Sequence, residues 1–427
     1  MPYRIAGIDV HKKMLAVVIA DVAVEGEYSF ERRKFGATPA ELQRLARWLV
    51  EQEVQEAVME STAQYWRPVW ATLEQYWMPV MQRRGGAGPK AGKLHLAQAL
   101  SNRGPRGRKD DFRDAERLLR RLVAQELVLS FVPDPTQRLW RTVTRRKSQF
   151  TQDRVRFQNR LESLLEQMHI KLSGLLSDLL GVSGRRMLKA LAEGATDPAA
   201  VAALADPTLR ATPEQLCDAL AACVDLLPVY RRLLKMELEQ LDFLEQQMDK
   251  LGQEIAQLLQ AHSAAVQRLA AVPGLGVESG QQIIAEIGPT AAVFSSAKQL
   301  ASWVGVCPGE EVTAGEAHST RSPKGNRNMR RLLNQAAHAA VKMKGSIFEV
   351  TFRRLLCRME YKEAIWTIAH RLCRLVWKIL HQGIQYEERG PAVSAKAQRA
   401  RLAKMIRELT KAGYHIQLPA PVQANSV

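Results

Sequence analysis

Apolar positions in the first 85 residues fall in short runs at the spacing of strands, separated by one helix-like stretch. Tyr3 to Val10 is an apolar run carrying Asp9 near its end, Met14 to Ala20 is a second, and Tyr28 to Phe35 alternates. Leu42, Leu45, Leu49 and Val50 then recur at helical steps, Val54 to Met59 forms a fourth strand ending at Glu60, and Met78 to Met81 reads as a fifth. Three strands followed by alternating helix and strand predict an α/β domain with a mixed sheet. Past the Gly-rich stretch Gly85 to Gly92, almost every periodic segment is helical.

The middle of the chain predicts two long helices. Leu161, Leu164, Leu165 and Met168 share a face, and Leu241, Leu244, Met248, Leu251, Ile255 and Leu258 repeat at steps of three and four, as in a coiled-coil seam. An antiparallel pair from about 136–172 and 227–262 follows, with smaller helices between Leu176 and Ala222 at its tip. Val272-Pro-Gly-Leu-Gly-Val277 then precedes a helix over Ser279 to Ile287. Gly274 and Gly276 suit either a helix-hairpin-helix that grips a phosphate backbone or a plain helix-helix turn. Three basic helices are expected over Arg327 to Lys344, Phe348 to Arg358 and Lys362 to Gln382, and a partly ordered tail from Pro391.

Charge changes this picture from a helical protein to a polyanion binder. The 427 residues carry 61 Lys plus Arg against 44 Asp plus Glu, a net of +17. Residues 103–160 hold 16 basic and 7 acidic side chains, and 321–380 hold 14 and 3, whereas 161–320 are net acidic at −9. Two basic blocks around an acidic middle fit a nucleic-acid backbone gripped at two places. Five cysteines without a CxxC pair argue against zinc or a disulfide framework. The opening residues lack a signal-peptide pattern and no run of about 20 apolar residues occurs, so a cytoplasmic, nucleoid-associated protein is expected.

Four carboxylates stand where chemistry needs them. Asp9 ends the first strand, Glu60 ends the fourth, and Asp111 and Asp114 lie three apart at the start of a helix, on one face. Carboxylates gathered at strand ends repel unless a cation joins them, and Mg2+, with Mn2+ as substitute, takes oxygen ligands. Such a set would serve phosphodiester chemistry. The same residues also read as a turn aspartate (Asp9), a helix-start acid (Glu60) and N-caps (Asp110, Asp111). His11 reads as packing or hydrogen-bonding at the sheet edge.

Taken together, GIDVHKK at 7–13, MESTAQYW at 59–66 and RKDDFRDAERL at 108–118 resemble the RuvC-like catalytic blocks of the DEDD transposases of the insertion-sequence 110 family, which are related to pilin-gene invertases. PGLGVESG at 273–280, FSSAKQLASWVGVCPGEE at 294–311 and SPKGNRNMRRLLNQAA at 322–337 resemble that family's C-terminal domain. The resemblance implies an RNase H-like (RuvC-like) catalytic domain over 1–130, a helical coiled-coil dimerisation region over 131–262, a C-terminal transposase domain over 263–390 and a tail over 391–427. It implies a DNA transposase or recombinase in which Asp9, Glu60, Asp111 and Asp114 hold Mg2+. It also implies donor and target DNA, a structured bridge RNA that pairs with both, a homodimer assembling to a homotetramer, a serine nucleophile and a Holliday-junction intermediate.

At the nucleophile the sequence departs from that pattern. In Cys307-Pro-Gly-Glu-Glu-Val-Thr-Ala-Gly-Glu316, Thr313 stands where the family carries serine, with Ser319 and Ser322 nearby. Threonine keeps a hydroxyl, but its methyl stiffens χ1 and crowds the approach. Arg103, Arg106, Arg108 and Lys109 precede Asp111, and Arg321, Lys324, Arg327, Arg330 and Arg331 follow Thr313, so both groups are expected on nucleic acid. Aromatic residues make up 6% of the chain, which does not favour base-stacking platforms; Tyr65, Trp66 and Trp70 are expected in the core or at an interface. Two alternatives remain compatible with these residues: a RuvC-like junction resolvase or nuclease without RNA, and a catalytically weakened nucleic-acid binder.

Overall fold

Strand β1 (Arg4–Val10) is buried along nearly its whole length because the sheet places strands on both of its sides and helices over both faces. A tight connection, in which the His11 N–H donates to the Met14 carbonyl at 3.0 Å, returns the chain into antiparallel β2 (Met14–Asp21), and β3 (Phe30–Gly36) pairs antiparallel to β2. β4 (Val54–Glu60) lies parallel on the other side of β1, and β5 (Lys93–Ala97) parallel to β4, giving the order β3-β2-β1-β4-β5. In this computed structural model the described residues are 3–22, 28–61, 63–84, 92–99, 110–307, 311–313, 316–319, 322–390 and 395–414. The chain divides into two compact units, Met1–Pro133 and Asp134–Val427.

In the first unit, α1 (Pro39–Glu51), α2 (Trp66–Tyr76) and α3 (Met78–Arg84) bury Leu45, Leu49, Leu73 and Trp77 against Ala6, Ile8 and Val10 of β1. α4 (Asp111–Val123) covers the opposite face, where Leu119 meets Ile5 and Ala20, and Leu118 meets Val58 and Ala97. Strand alternation therefore sends even-numbered β1 side chains toward α1 and α2, and odd-numbered ones, Asp9 among them, toward α4.

The fifth strand differs from the expectation. Met78 to Met81 lies in helix α3, and the fifth strand is Lys93–Ala97. A four-residue apolar run does not separate strand from helix by periodicity; here Trp77 and Met81, four apart, are buried together, and Pro79 sits in the first turn, where its missing N–H costs nothing.

In the second unit, α5 (Pro135–Gln167) and α9 (Pro228–Leu258) form an antiparallel pair, with Arg154 Nε 2.9 Å from Glu245 Oε1 and Arg160 reaching Glu237 further toward the tip. α6 (Val182–Glu193), α7 (Pro198–Ala202) and α8 (Pro213–Leu220) close a core of leucines at that tip. At the other end, α10 (Ser263–Ala270), α11 (Val277–Ile287), α12 (Ala297–Val304), the strands β6 (Glu311–Thr313) and β7 (Glu316–Ser319), and the helices α13 (Arg327–Val341), α14 (Ile347–Leu356) and α15 (Tyr361–His381) form one body. Its core is centred on α15, whose Ile368, Leu372 and Val376 are fully buried. The segment expected as a tail contains α16 (Ala395–Lys411), anchored by buried Leu409 and Tyr414; the Tyr414 hydroxyl accepts from Gln281 Nε2 at 3.0 Å. No described helix is long and apolar enough to cross a membrane.

Candidate metal centre

Asp9 is positioned by β1, and α4 can lie directly on that strand because residue 7 is glycine. A Cβ at Gly7 would stand 2.2 Å from the carbonyl oxygen of Ala115. That close approach carries the first turn of α4 to the strand end. Asp110 caps α4, its Oδ1 accepting from the N–H groups of Phe112 at 3.1 Å and Arg113 at 3.4 Å. The cap leaves the next carboxylate, Asp111, to turn toward the sheet.

His11 stands between the two acids, with Nε2 3.0 Å from Asp9 Oδ2 and 3.2 Å from Asp111 Oδ1. One donor atom from each of Asp9, His11 and Asp111 lies within 4.8 Å of the others. Asp114, one helical turn beyond Asp111, accepts from Arg117 at 2.5 Å and adds its charge to the field at Asp9. Glu60 follows Met59, which is paired in register with Ile8, so it sits beside Asp9 at the same sheet edge and on the α4 side of β4. It is not among the three residues whose donor atoms converge. Sequence reasoning gave His11 no part in this cluster. The signal available was the Asp-x-His spacing across a strand end.

The electrostatics favour a cation. Asp9 is 8% exposed, and burial pushes its carboxyl above the ordinary aspartate range; Asp114 and Asp111 push in the same direction, while His11 opposes them. Two carboxylate oxygens and one imidazole nitrogen around a partly dehydrated point fit a divalent ion. Mg2+ suits the oxygens, and Mn2+ accepts the nitrogen as well.

The other expected residues lie elsewhere. Arg103, Arg106, Arg108, Lys109 and Arg321 lie outside the described residues. Thr313 ends β6 and pairs with Glu316, the first residue of β7, whereas Ser319 pairs with Glu311 at the other end of the β6–β7 ribbon. Lys324 and Arg327 are exposed just before and at the start of α13. Arg330 is drawn inward, donating NH1 to the carbonyls of Gly305 at 2.6 Å and Pro323 at 2.5 Å. Arg331 is half-buried on the same helix.

Gly274 adopts φ +82°, and a Cβ there would stand 2.1 Å from the Ala336 carbonyl, so this glycine serves the packing of the turn on α13. Gly276 is the N-cap of α11, where a cavity of about 530 Å3 is lined by Glu278, Glu408 and Asp249 against Lys147 and Lys411. Three acids against two bases make a poor seat for phosphate.

One charged hub went unread in the sequence. Glu286 on α11 is 2% exposed; its carboxylate accepts from Arg145, from Asn326 Nδ2 at 2.9 Å and from Asn328 Nδ2 at 3.3 Å. Arg141 also binds the end of α11, donating to the carbonyls of Ala285 and Glu286. Burial pushes the Glu286 carboxyl up, but Arg145, Arg141 and Asn326 outweigh it and hold the group below its ordinary range.

The first unit is thus a five-stranded mixed sheet with two carboxylates and a histidine converging at the end of its central strand, and the second a helical body with basic helices. A family model described as a transposase, of the DEDD type of IS110, matches residues 6–170, and a second, described as transposase of the IS116/IS110/IS902 family, matches 266–351. The two matches follow in order and together span more than half of the chain, which belongs to the IS110 family of transposases.

The chain is 29% identical over 161 residues to a probable family 20 transposase of Pseudomonas aeruginosa, covering 36% of this chain and 46% of that protein. It is 26% identical over 148 residues to an uncharacterized 43.6 kDa protein of insertion element IS110 from Streptomyces coelicolor, covering 34% of this chain and 36% of that one. A putative transposase of Sinorhizobium fredii is 24% identical over 180 residues, covering 41% and 46%. The matched part thus spans less than half the length of each of these relatives. Among solved structures, T. thermophilus RuvC in complex with a Holliday junction substrate aligns with 30% of this chain and 99% of its own at 10% identity, with a TM-score of 0.20.

Proposed function

We propose that this protein is a site-specific DNA transposase of a bacterial insertion sequence, with an RNase H-like catalytic domain, a metal-holding carboxylate site and a hydroxyl nucleophile. The observation that carries the reading is the convergence of Asp9, His11 and Asp111 at the end of the central strand, in a chain of a transposase family. The strand order, three antiparallel strands followed by two parallel ones with acids at the ends of the first and fourth, supports the RNase H-like assignment.

In this reading Asp9, Glu60, Asp111 and Asp114 hold Mg2+ or Mn2+, which when bound supplies charge neutralisation at the scissile phosphate. Asp9 and Asp111 fix the cation's place on a rigid strand and helix, and His11 orients both carboxylates. The Thr313 hydroxyl attacks phosphorus: the Oγ–P bond forms, the P–O3′ bond breaks, and the proton lost from Oγ is balanced by the one that the leaving 3′ oxygen takes up. Arg103, Arg106, Arg108 and Lys109 before the carboxylates, and Arg321, Lys324 and Arg327 after the hydroxyl, hold donor and target DNA by its phosphates. A structured bridge RNA reads the DNA by pairing, the subunits dimerise through the α5–α9 pair and join as a tetramer, and strand exchange passes through a Holliday junction.

The test is to sequence the RNA that copurifies with the protein and to assay recombination between paired DNA sites with and without it and Mg2+, with mass spectrometry for a DNA adduct. Recombination without RNA would remove the guide. An adduct at Ser319 would remove Thr313.

A further inference from the structure

An open cleft of about 590 Å3 lies between α13 and the N-terminal turns of α15, within the size range of roughly 300–1,000 Å3 of small-ligand sites. Arg330, Asn334 and His338 line one wall at successive steps of four along α13, and Tyr361, Lys362 and Trp366 line the other. The two ends of the cleft are π surfaces. Tyr361 is 51% exposed, with its ring centre 5.9 Å from that of His338 and the two planes tilted by 31°, and its back edge supported by Phe352. At the far end the Arg330 guanidinium lies 4.9 Å from the centre of the Trp366 indole. Between them Asn334 offers an amide with both donors and an acceptor, Glu363 a further acceptor, and exposed Lys362 a cation at the rim.

Flat rings, an amide and a rim cation match the three parts of a nucleotide: a base that stacks, an edge that pairs and a phosphate that needs charge. From this geometry we infer that the α13–α15 cleft receives a single unpaired nucleotide, stacked on Tyr361. A duplex cannot enter a groove between two packed helices; a base out of its stack can. The cleft is tied to the segment that follows the β6–β7 ribbon, since Trp366 Nε1 donates at 2.6 Å to the hydroxyl of Ser322, three positions after the end of β7 in the sequence. The nucleotide would therefore flank the strand acted on at the ribbon. This inference rests on the nucleic-acid reading above and adds a base-holding site to it. The low aromatic content of the chain hides the site, since what matters is two or three rings in one place.

The experiment uses the full chain and fluorescence anisotropy with 12-nucleotide single-stranded DNA, single-stranded RNA and blunt duplex DNA, none of which requires recombination. Tyr361→Ala should weaken single-strand binding about 5- to 100-fold, the loss expected for one stacked base, with duplex affinity within about twofold of the parent. Tyr361→Phe, which keeps the ring, should restore it. The DNA and RNA arms decide which strand supplies the base. In the parent protein, a 5-iodouracil oligonucleotide should photo-cross-link to the peptide containing Tyr361 or Trp366. An unchanged single-strand affinity in Tyr361→Ala, an equal loss for duplex, or cross-linking confined to other peptides would overturn the proposal. A chain that fails to recombine but shows the Tyr361-dependent difference would fail the transposase reading and keep this one.

Discussion

The guanidinium of Arg145 forks onto the carboxylate of Glu286, with Nε 2.7 Å from Oε1 and NH2 2.8 Å from Oε2. The same carboxylate holds Asn326, whose side chain caps α13 by accepting from the N–H groups of Asn328 and Met329 at 3.0 Å each. One buried acid thus ties the base of α5 to the residue that starts the basic helix after the β6–β7 ribbon. Glu286→Ala should cost about 2–4 kcal/mol, somewhat less than the penalty for breaking a fully buried pair, because it leaves the largely buried Arg141 uncompensated while the half-buried Arg145 can still be solvated. Urea unfolding measures it, and a loss under about 1 kcal/mol would show the hub to be dispensable.

The same pair predicts a pH dependence. Because the folded Glu286 carboxyl titrates below its unfolded value, its contribution is fully present above the ordinary glutamate pKa of about 4.3 and is lost as pH falls through the depressed folded value. The melting-temperature gap between parent and Glu286→Gln should be constant from about pH 6 to 8 and narrow below about pH 4. A gap that widens with acid would contradict the sign.

Gly7→Ala tests how α4 is carried to the metal centre. A methyl 2.2 Å from the Ala115 carbonyl oxygen must push the helix off the strand, and overpacking of this kind costs about 1–3 kcal/mol. The displacement also moves Asp111 away from Asp9. The variant should therefore lose divalent-cation binding by more than its stability loss explains, as read by calorimetric titration of the folded protein with Mn2+.

Asp9 without a cation is a stability liability, since burial disfavours its charge. Mg2+ or Mn2+ should raise the melting temperature of the parent and leave Asp9→Asn unchanged, while Asp9→Asn without metal should melt at or above the parent. DNA cleavage by Asp9→Asn or Asp111→Asn should fall on the order of 100-fold or more, since metal stabilisation of the transition state amounts to several kcal/mol. Melting of Asp9→Asn that still rises with metal would place the ion elsewhere.

How far these features were legible in the chain depends on the distance over which each is encoded. Asp9 and Glu60 announce themselves because a polar residue ends an apolar run, and Asp111 and Asp114 because three-residue spacing is local. The shared side of the sheet is not local: it follows from α4 covering the odd-numbered β1 residues, which no run of residues states. Lys93–Ala97 escaped as a strand because its Leu-His-Leu core has no β-branched residue, and Met78 to Met81 misled because four apolar residues carry no period. The Glu286 hub joins positions more than 140 residues apart, and its partners Arg141 and Arg145 read in sequence only as part of a basic block.

Thr313 stands where the resemblance implies a serine nucleophile, and backbone register makes the proposed role testable. Thr313 pairs with Glu316 at one end of the ribbon and Ser319 with Glu311 at the other, so the two residues sit about two strand steps apart, roughly 7 Å along the ribbon. A scissile phosphate placed for one is not placed for the other. Thr313→Val keeps the branched shape and removes the hydroxyl, so it should abolish the covalent DNA adduct and reduce recombination on the order of 1,000-fold or more, as loss of a nucleophile does. Thr313→Ser removes only the methyl that restricts χ1, and it should retain the adduct and recombine at least as fast as the parent. Ser319→Ala should leave both measurements unchanged. Denaturing-gel detection of the adduct alongside a plasmid recombination assay reads all three, and a Thr313→Val protein that still forms the adduct would move the nucleophile away from Thr313.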